Sequence, residues 1–131
     1  MKRFYTIFSL LFIINFSLSA QYTTTGTDFW LAWMQNFDDP ANTLLYLTSD
    51  VATSGTASMP GTGWSQAFTI AANGSVMVQV PAAQNAAIAT TNTVLNKAVH
   101  ITANNDIAVY SANQRTASSD ATLVLSTPAL G

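Results

Sequence analysis

The sequence contains no cysteine and no glutamate, and only 4 of its 131 residues are lysine or arginine. Two of these cations precede residue 5, so the rest of the chain keeps only Lys97 and Arg115. Without cysteine, the domain must be held together by an apolar core and not by disulfides. Nucleic acid is not an expected partner, because phosphate binding relies on clustered Lys and Arg.

The N-terminal segment has the pattern of a secretory signal peptide. It begins with two cations, continues with an apolar stretch over residues 4–16 and ends with small residues at Ala20. The apolar stretch is shorter than the roughly 20 residues that a helix needs to cross a bilayer. We therefore expect residues 1–20 to be a signal peptide and residues 21–131 to be secreted or held at the cell surface, without a membrane span. An uncleaved N-terminal anchor is the alternative.

Residues 21–131 have the composition of a β domain. Helix formers other than alanine are scarce, and Thr, Ser, Val, Asn and Gly dominate. Short apolar stretches separated by turn signals every ~8–12 residues are typical of a sandwich or barrel. We predict one all-β domain, an antiparallel β-sandwich. Strands are predicted at residues 29–34, 43–48, 55–59, 68–70, 76–80, 98–103, 107–112 and 121–125, with a loop at 82–96.

Three turn signals define the predicted connections. Pro60-Gly61 ends the strand at 55–59. Asn73-Gly74 supplies the positive φ angles of a tight hairpin turn, so the strands on either side of it are expected to pair. Residues 104–106, Asn-Asn-Asp, are expected to form a second hairpin from the strands that flank them.

The sequence spells out no catalytic centre. The single histidine, His100, alternates with Val99 and Ile101, so its ring faces away from those apolar side chains. We expect it to be solvent-facing or packed by a loop, because a metal site needs several ligands within reach. No GxSxG nucleophile turn occurs. We therefore predict that the protein is not an enzyme.

Asp38 and Asp39 are two of the three candidate ligand-binding residues. They lie side by side before a proline, where they fit either acid–base chemistry or a calcium site. Their spacing does not match an EF-hand, and solvated turn residues are the simpler interpretation. No metal or other cofactor is therefore predicted, and calcium is kept as the alternative.

Aromatic side chains are the other candidates, since their faces stack on sugar rings. Trp30, Trp33, Trp64, Tyr46 and Tyr110 are the residues considered. Trp30 and Trp33 lie three apart on a predicted strand and point to opposite faces, so at least one should pack in the core. Trp64 lies in the glycine-rich segment PGTGWSQ and is expected to be the most exposed. It is the third candidate ligand-binding residue.

The order of the segments in residues 25–131 carries a family resemblance. They contain, in succession, TGTDFWLAWMQNF, LYLTSD, GTASMPG, FTIAANGSVMVQVP and AVHITANNDIAVYSANQRTASSDATLVLSTPALG. This succession resembles the N-terminal domain of the IgGFc-binding protein family, found in large secreted surface proteins of the Bacteroidetes type. Ser126 stands where the family pattern has proline. The resemblance implies a domain that is incomplete at its C-terminus, in the N-terminal part of a larger protein.

Export, the β-rich pattern and the resemblance together predict a non-enzymatic extracellular adhesion or ligand-binding domain. Its expected partner is an extracellular protein or glycan. The first alternative is a glycan-binding accessory module of a polysaccharide-degrading system, which would use Trp64. The second alternative is a hydrolase that uses Asp38 or Asp39 with His100.

Overall fold

The structure is a computed structural model and describes residues 24–36, 42–90 and 92–130. The predicted signal peptide and both Asp38 and Asp39 lie outside these ranges. No helix within the ranges combines the length and apolar character that membrane crossing requires. The described strands are β1 (Thr25–Leu31), β2 (Trp33–Met34), β3 (Asn42–Ser49), β4 (Thr53–Met59), β5 (Trp64–Ile70), β6 (Gly74–Val80), β7 (Ala87–Ile88), β8 (Val99–Gln114) and β9 (Ser119–Val124).

The prediction of an all-β antiparallel domain is confirmed. Seven strands form one antiparallel sheet in the order β5-β4-β8-β3-β6, with β1 and β9 also paired to β8. β2 and β7 form a small parallel pair. Short 3₁₀ segments at Ala82–Gln84 and Thr127–Leu130 complete the regular structure of the described ranges.

β8 is the central strand of the sheet and pairs with four other strands. Its first part pairs with β1 and β4, and its last part pairs with β3 and β9. Because β8 is a single strand of 16 residues, the same backbone runs through both halves of the sheet. The other strands are arranged along its two edges.

Strands β3 to β6 form one long hairpin. Ser49 pairs with Gly74, and Thr53, four residues later, pairs with Ile70, four residues earlier. The register is therefore continuous across the gaps between β3 and β4 and between β5 and β6. The chain reverses direction after Met59. The Met59 carbonyl oxygen accepts hydrogen bonds from the backbone N–H groups of Thr62 and Gly63, at 3.0 Å each. The turn predicted at Pro60-Gly61 is confirmed.

The hairpin predicted at Asn73-Gly74 is wrong. Asn73 does adopt a positive φ of 53°, but β5 pairs with β4 and β6 pairs with β3. The backbone N–H of Asn73 donates to the carbonyl oxygen of Asp50 on the adjacent chain segment, at 3.2 Å. This cross-strand bond keeps the two segments side by side, so the turn residues bend the strand and do not reverse it.

The hairpin predicted at residues 104–106 is also wrong, because β8 continues through them. Their polar groups bond to the neighbouring segment. The backbone N–H of Asn105 donates to Thr53 Oγ1 at 3.0 Å, and Asn104 Nδ2 donates to Ser54 Oγ at 2.9 Å. The first bond satisfies a backbone N–H group, and the second joins the side chains of the two segments.

Residues 50–52, 71–73 and 104–106 together form what we call the bend region. There the sheet folds over into two layers that nearly close a barrel. Layer one contains β5, β4, the first part of β8 and β1, and layer two contains β6, β3, the last part of β8 and β9. Apolar residues of both layers form one buried cluster that includes Phe29, Leu45, Leu47, Met59, Ile70, Val78, Val80, Val99, Ile101, Ile107 and Val109.

Gly55 on β4 marks a close approach of two strands within layer one. A Cβ atom at Gly55 would lie 2.1 Å from the carbonyl oxygen of Thr102 and 2.5 Å from Cζ of Phe68. The carbonyl is backbone and cannot move away as a flexible side chain would. Only glycine therefore lets β4, β8 and the Phe68 ring meet here.

We expect Gly55→Ala to lower the free energy of unfolding by about 3 kcal/mol, the upper end of the usual overpacking range. Gly63→Ala is the control, because open space surrounds Gly63 and only its positive φ of 75° is strained by a side chain. That control should lose about 1 kcal/mol. Urea unfolding followed by tryptophan fluorescence measures both values. Equal losses would contradict the close approach at Gly55.

Candidate functional site

Trp64 is not the most exposed aromatic residue, contrary to the sequence prediction. It is partly buried against the core, whereas Trp30, Tyr46 and Tyr110 are 45%, 43% and 46% exposed. The cause is its register, since Trp64 lies directly opposite the fully buried Met59 and such pairs share a face of the sheet. Whether Trp64 contacts a ligand stays a prediction.

The prediction that Trp30 and Trp33 point to opposite faces, with at least one of them in the core, is confirmed. Trp33 is 4% exposed and belongs to the core, while Trp30 lies on the outer face. Asp38 and Asp39 are outside the described residues, so their proposed role stays a prediction. The exposed aromatic residues fall into two groups, one on each layer.

The first group is a cluster of Asp28, Trp30 and His100 on the outer face of layer one. Trp30 on β1 pairs directly with His100 on β8, and Asp28 lies on the same face two residues earlier. The two rings stack with centroids 4.1 Å apart and planes 9° from parallel. His100 Nε2 lies 2.8 Å from Asp28 Oδ2. The ring of His100 is therefore held on one face by Trp30 and at one nitrogen by Asp28.

Asp28 also holds the segment after β9. Its Oδ1 accepts a hydrogen bond from the hydroxyl of Thr127. This bond, and secondarily the bond with His100, lowers the pKa of the Asp28 carboxyl below its ordinary value. Beside it, the buried Ser126 packs against Gly26, where a Cβ would lie only 2.5 Å from that of Ser126. The cluster thus joins β1, β8 and the C-terminal 3₁₀ segment.

A carboxylate that orients a histidine is one part of an acid–base site. The carboxylate that contacts His100 is Asp28, which no sequence pattern singles out. Ser58, opposite His100 on β4, donates its hydroxyl to the backbone oxygen of His100 at 3.4 Å. Nowhere in residues 24–36, 42–90 and 92–130 do three His, Cys, Asp or Glu residues gather as metal ligands. In this cluster His100 is a surface side chain, which Trp30 stacks on and Asp28 orients.

A groove of about 350 Å³ adjoins this cluster. The Trp30 ring forms one wall, and the hairpin turn at Pro60 and the loop before β8 form the others. A stacked, immobilised tryptophan beside a groove suits a flat apolar ligand face. The residues that line the groove are Trp30, Pro60, Gly61, Leu95, Asn96 and Ala98.

The second group, which we call the aromatic row, consists of Met77, Tyr46, Tyr110 and Leu123 on layer two. Tyr46 pairs with Met77 on one side and with Tyr110 on the other, and Tyr110 pairs with Leu123. The row therefore crosses four neighbouring strands, β6, β3, β8 and β9. Met77 is 51% exposed, so the row presents sulfur, aromatic and aliphatic surface side by side.

The chain matches no protein-family model, no curated protein and no solved structure. The resemblance to the IgGFc-binding N-terminal domain therefore stays an expectation from the sequence. The assignment of a site rests on the geometry of the cluster and of the aromatic row.

We expect Thr127→Val to raise the pKa of Asp28 toward the ordinary aspartate value, because the variant loses the main hydrogen bond to the carboxylate. A lowered aspartate pKa in the folded state stabilises the fold at every pH above the ordinary aspartate pKa. This stabilisation is lost as the pH falls through the folded-state pKa. Acid unfolding of Thr127→Val should therefore begin at a higher pH.

Carboxyl ¹³C NMR across a pH titration measures the Asp28 pKa directly. Thr122→Val is the matched control, because the Thr122 hydroxyl bonds the backbone oxygen of Leu123 and not Asp28. An unchanged Asp28 pKa in Thr127→Val would show that the hydroxyl does not stabilise the carboxylate.

Proposed function

We propose that this chain is a non-enzymatic extracellular adhesion or ligand-binding domain that binds a protein partner through the aromatic row. The pattern of residues 1–20 supports export, and the family resemblance supports a place in a larger secreted or cell-surface protein. The observation that carries the proposal is the exposure of Tyr46, Tyr110 and Met77 on three adjacent strands.

Tyrosine and methionine suit protein recognition. Tyrosine, like other aromatic residues, and methionine are enriched in protein interfaces. A tyrosine also offers a large amphipathic surface while losing only two side-chain torsions on binding. Isolated exposed apolar residues need no explanation, but a row that crosses four strands is a contiguous patch of the kind that marks interaction sites. The aromatic row has the composition of the centre of an interface.

The strands that carry the aromatic row are held rigidly. Leu45 and Leu47 on β3 and Val109 on β8 alternate with the exposed tyrosines and are fully buried on the inner face. Because the strands are paired on both sides, the tyrosine backbones are fixed before any partner arrives. A preorganised surface loses less entropy on binding than a mobile loop does.

The alternative, a glycan-binding accessory module, is favoured by a different observation. Trp30 is exposed, stacked on His100 and placed beside the groove of about 350 Å³. An aromatic face held in this way suits the C–H face of a sugar ring. In this alternative Trp30 takes the role that the sequence pattern favours for Trp64.

We expect Tyr46→Ala and Tyr110→Ala each to weaken partner binding by about 2 kcal/mol, roughly thirtyfold in Kd. Surface plasmon resonance with the full chain would test immunoglobulin Fc fragments, mucin and fibronectin as immobilised probes. Neither substitution should change the melting temperature by more than a few degrees, because both side chains lie on the outer face.

Val94→Ala is the control, since Val94 is 96% exposed, apolar and outside the row. It should bind as the unaltered chain does. Binding that survives both tyrosine substitutions but is lost in Trp30→Ala, with polysaccharide as the probe, would reject the aromatic row and favour the glycan-binding alternative.

A further inference from the structure

The outer edge of β6 has no neighbour among the described strands. β6 pairs with β3 along one edge, and no other strand in the described ranges pairs with it. In an antiparallel pair, every second residue turns its backbone N–H and C=O groups away from the partner strand. The outer edge of β6 is therefore a row of backbone donors and acceptors to which another strand can bind.

The two edge strands on the other side of the sheet are protected against such pairing. Natural sheets protect their edges with charged residues, proline or β-bulges. β1 carries Asp28 and has a register shift between Gly26 and Asp28. β9 carries Asp120, which lies opposite the buried Asn113 and so belongs to the inner face. β6 has the sequence GSVMVQV, without charge or proline, and its register against β3 is uninterrupted. The edge of β6 is therefore unprotected.

The charge of the chain restricts where a second copy can approach. Residues 21–131 carry six aspartates against Lys97 and Arg115, so two copies are both negatively charged, and like net charges oppose association. β5 and β6 both lie within residues 51–96, which contain no charged residue. A second copy can therefore meet this side of the sheet without bringing charged strand residues together.

β6 matches itself residue by residue. Met77 is its middle residue, and a twofold axis at Met77 sets each residue opposite the one that is equally distant on the other side. Val76 then lies opposite Val78 of the second copy, and Ser75 lies opposite Gln79 of the second copy. The two valines belong to the apolar inner face, whereas Ser75 and Gln79 are exposed. Apolar residues thus meet apolar ones, and polar residues meet polar ones.

β5, the other uncharged edge strand, matches itself less well. Its middle residue is Ala67, and a twofold axis there sets the exposed Gln66 opposite the buried Phe68 of the second copy. Burying a side-chain amide against an aromatic ring is unfavourable. β6 also contains three valines, which are favoured in strands. Of these two edge strands, β6 is therefore the better one for self-pairing.

We propose that β6 is the interface of a symmetric dimer, in which it pairs antiparallel with β6 of a second copy. Layer two then continues across the twofold axis as one sheet, with β9, β8, β3 and β6 from each copy. Met77 is the end of the aromatic row, so the two rows meet end to end at the axis. Pairing along the edge leaves the outer face exposed. The dimer stands whether or not the aromatic row binds a protein, and with such a partner it offers two linked binding surfaces.

Sedimentation velocity of the full chain, without any partner, is the first test. Over about a hundredfold range of concentration, the chain should pass from monomer to dimer by mass action. Met77→Lys should weaken dimerisation at least about tenfold, because it places two ammonium groups opposite each other at the axis. Met77 is 51% exposed, so the substitution leaves the core intact. Ala121→Lys is the matched control, with the same charge at an exposed position on β9, and should dimerise normally.

Cross-linking locates the interface. The sequence has no cysteine, so Met77→Cys introduces a single thiol. Directly opposite residues of an antiparallel pair have Cα atoms about 4.5–5.5 Å apart, within the range of a disulfide. Diamide, which takes up the two electrons and two protons of the thiols, should therefore give a covalent dimer of Met77→Cys. Ala121→Cys is the control and should stay monomeric on a denaturing gel.

Three results would overturn the proposal. A full chain that stays monomeric at the highest concentration does not use the edge of β6 to bind a second copy. A dimer that Met77→Lys does not weaken assembles through another part of the chain. A covalent dimer of Ala121→Cys in the absence of one for Met77→Cys would assign the interface to β9.

Discussion

The fold depends on a bend in one antiparallel sheet. The bend crosses three neighbouring chain segments side by side, at the residues of the bend region. Paired β-strands resist a sharp bend, because bending breaks backbone hydrogen bonds between them. The N–H and C=O groups that lose a partner must then find another. In the bend region this is done by polar groups of adjacent segments, such as Asn105 with Thr53 and Ser49 with the carbonyl oxygen of Asp106. The two halves of the sheet can then face each other and bury one core, while their outer faces stay exposed to solvent.

The sequence predicts the strands better than it predicts their connections. Alternation of apolar and polar residues identifies the inner and outer faces, as in residues 76–80 and 99–101. The signals at Asn73-Gly74 and at residues 104–106 predict chain reversals, but the structure has bends there. A turn residue determines its own backbone angles. Whether the chain then reverses or continues depends on which segment lies beside it, and that segment is distant in the sequence.

The candidate sites are less predictable, for the same reason. The glycine-rich surroundings of Trp64 favour exposure, yet its partner Met59 places it toward the core. Asp28 and His100 are 72 residues apart, and only the register between β1 and β8 brings them together. Within the described ranges, the buried Trp33 Nε1 and Asn113 Oδ1 have no hydrogen-bond partner, which depends on the packing around them and not on the local sequence. Pairwise geometry of this kind is not encoded in local composition.

The continuous β8 strand has a consequence for the order in which the chain folds. Among the described strands, β1 pairs with β8 alone, and Thr25 lies opposite Ala108, far along the chain. The hairpin of β3 to β6 can form early, but neither layer is complete until β8 has been synthesised. Topologies dominated by such distant pairings fold slowly. The sheet of such a chain is therefore completed only late in its synthesis, and until then the early hairpin lacks the strand that joins the two layers.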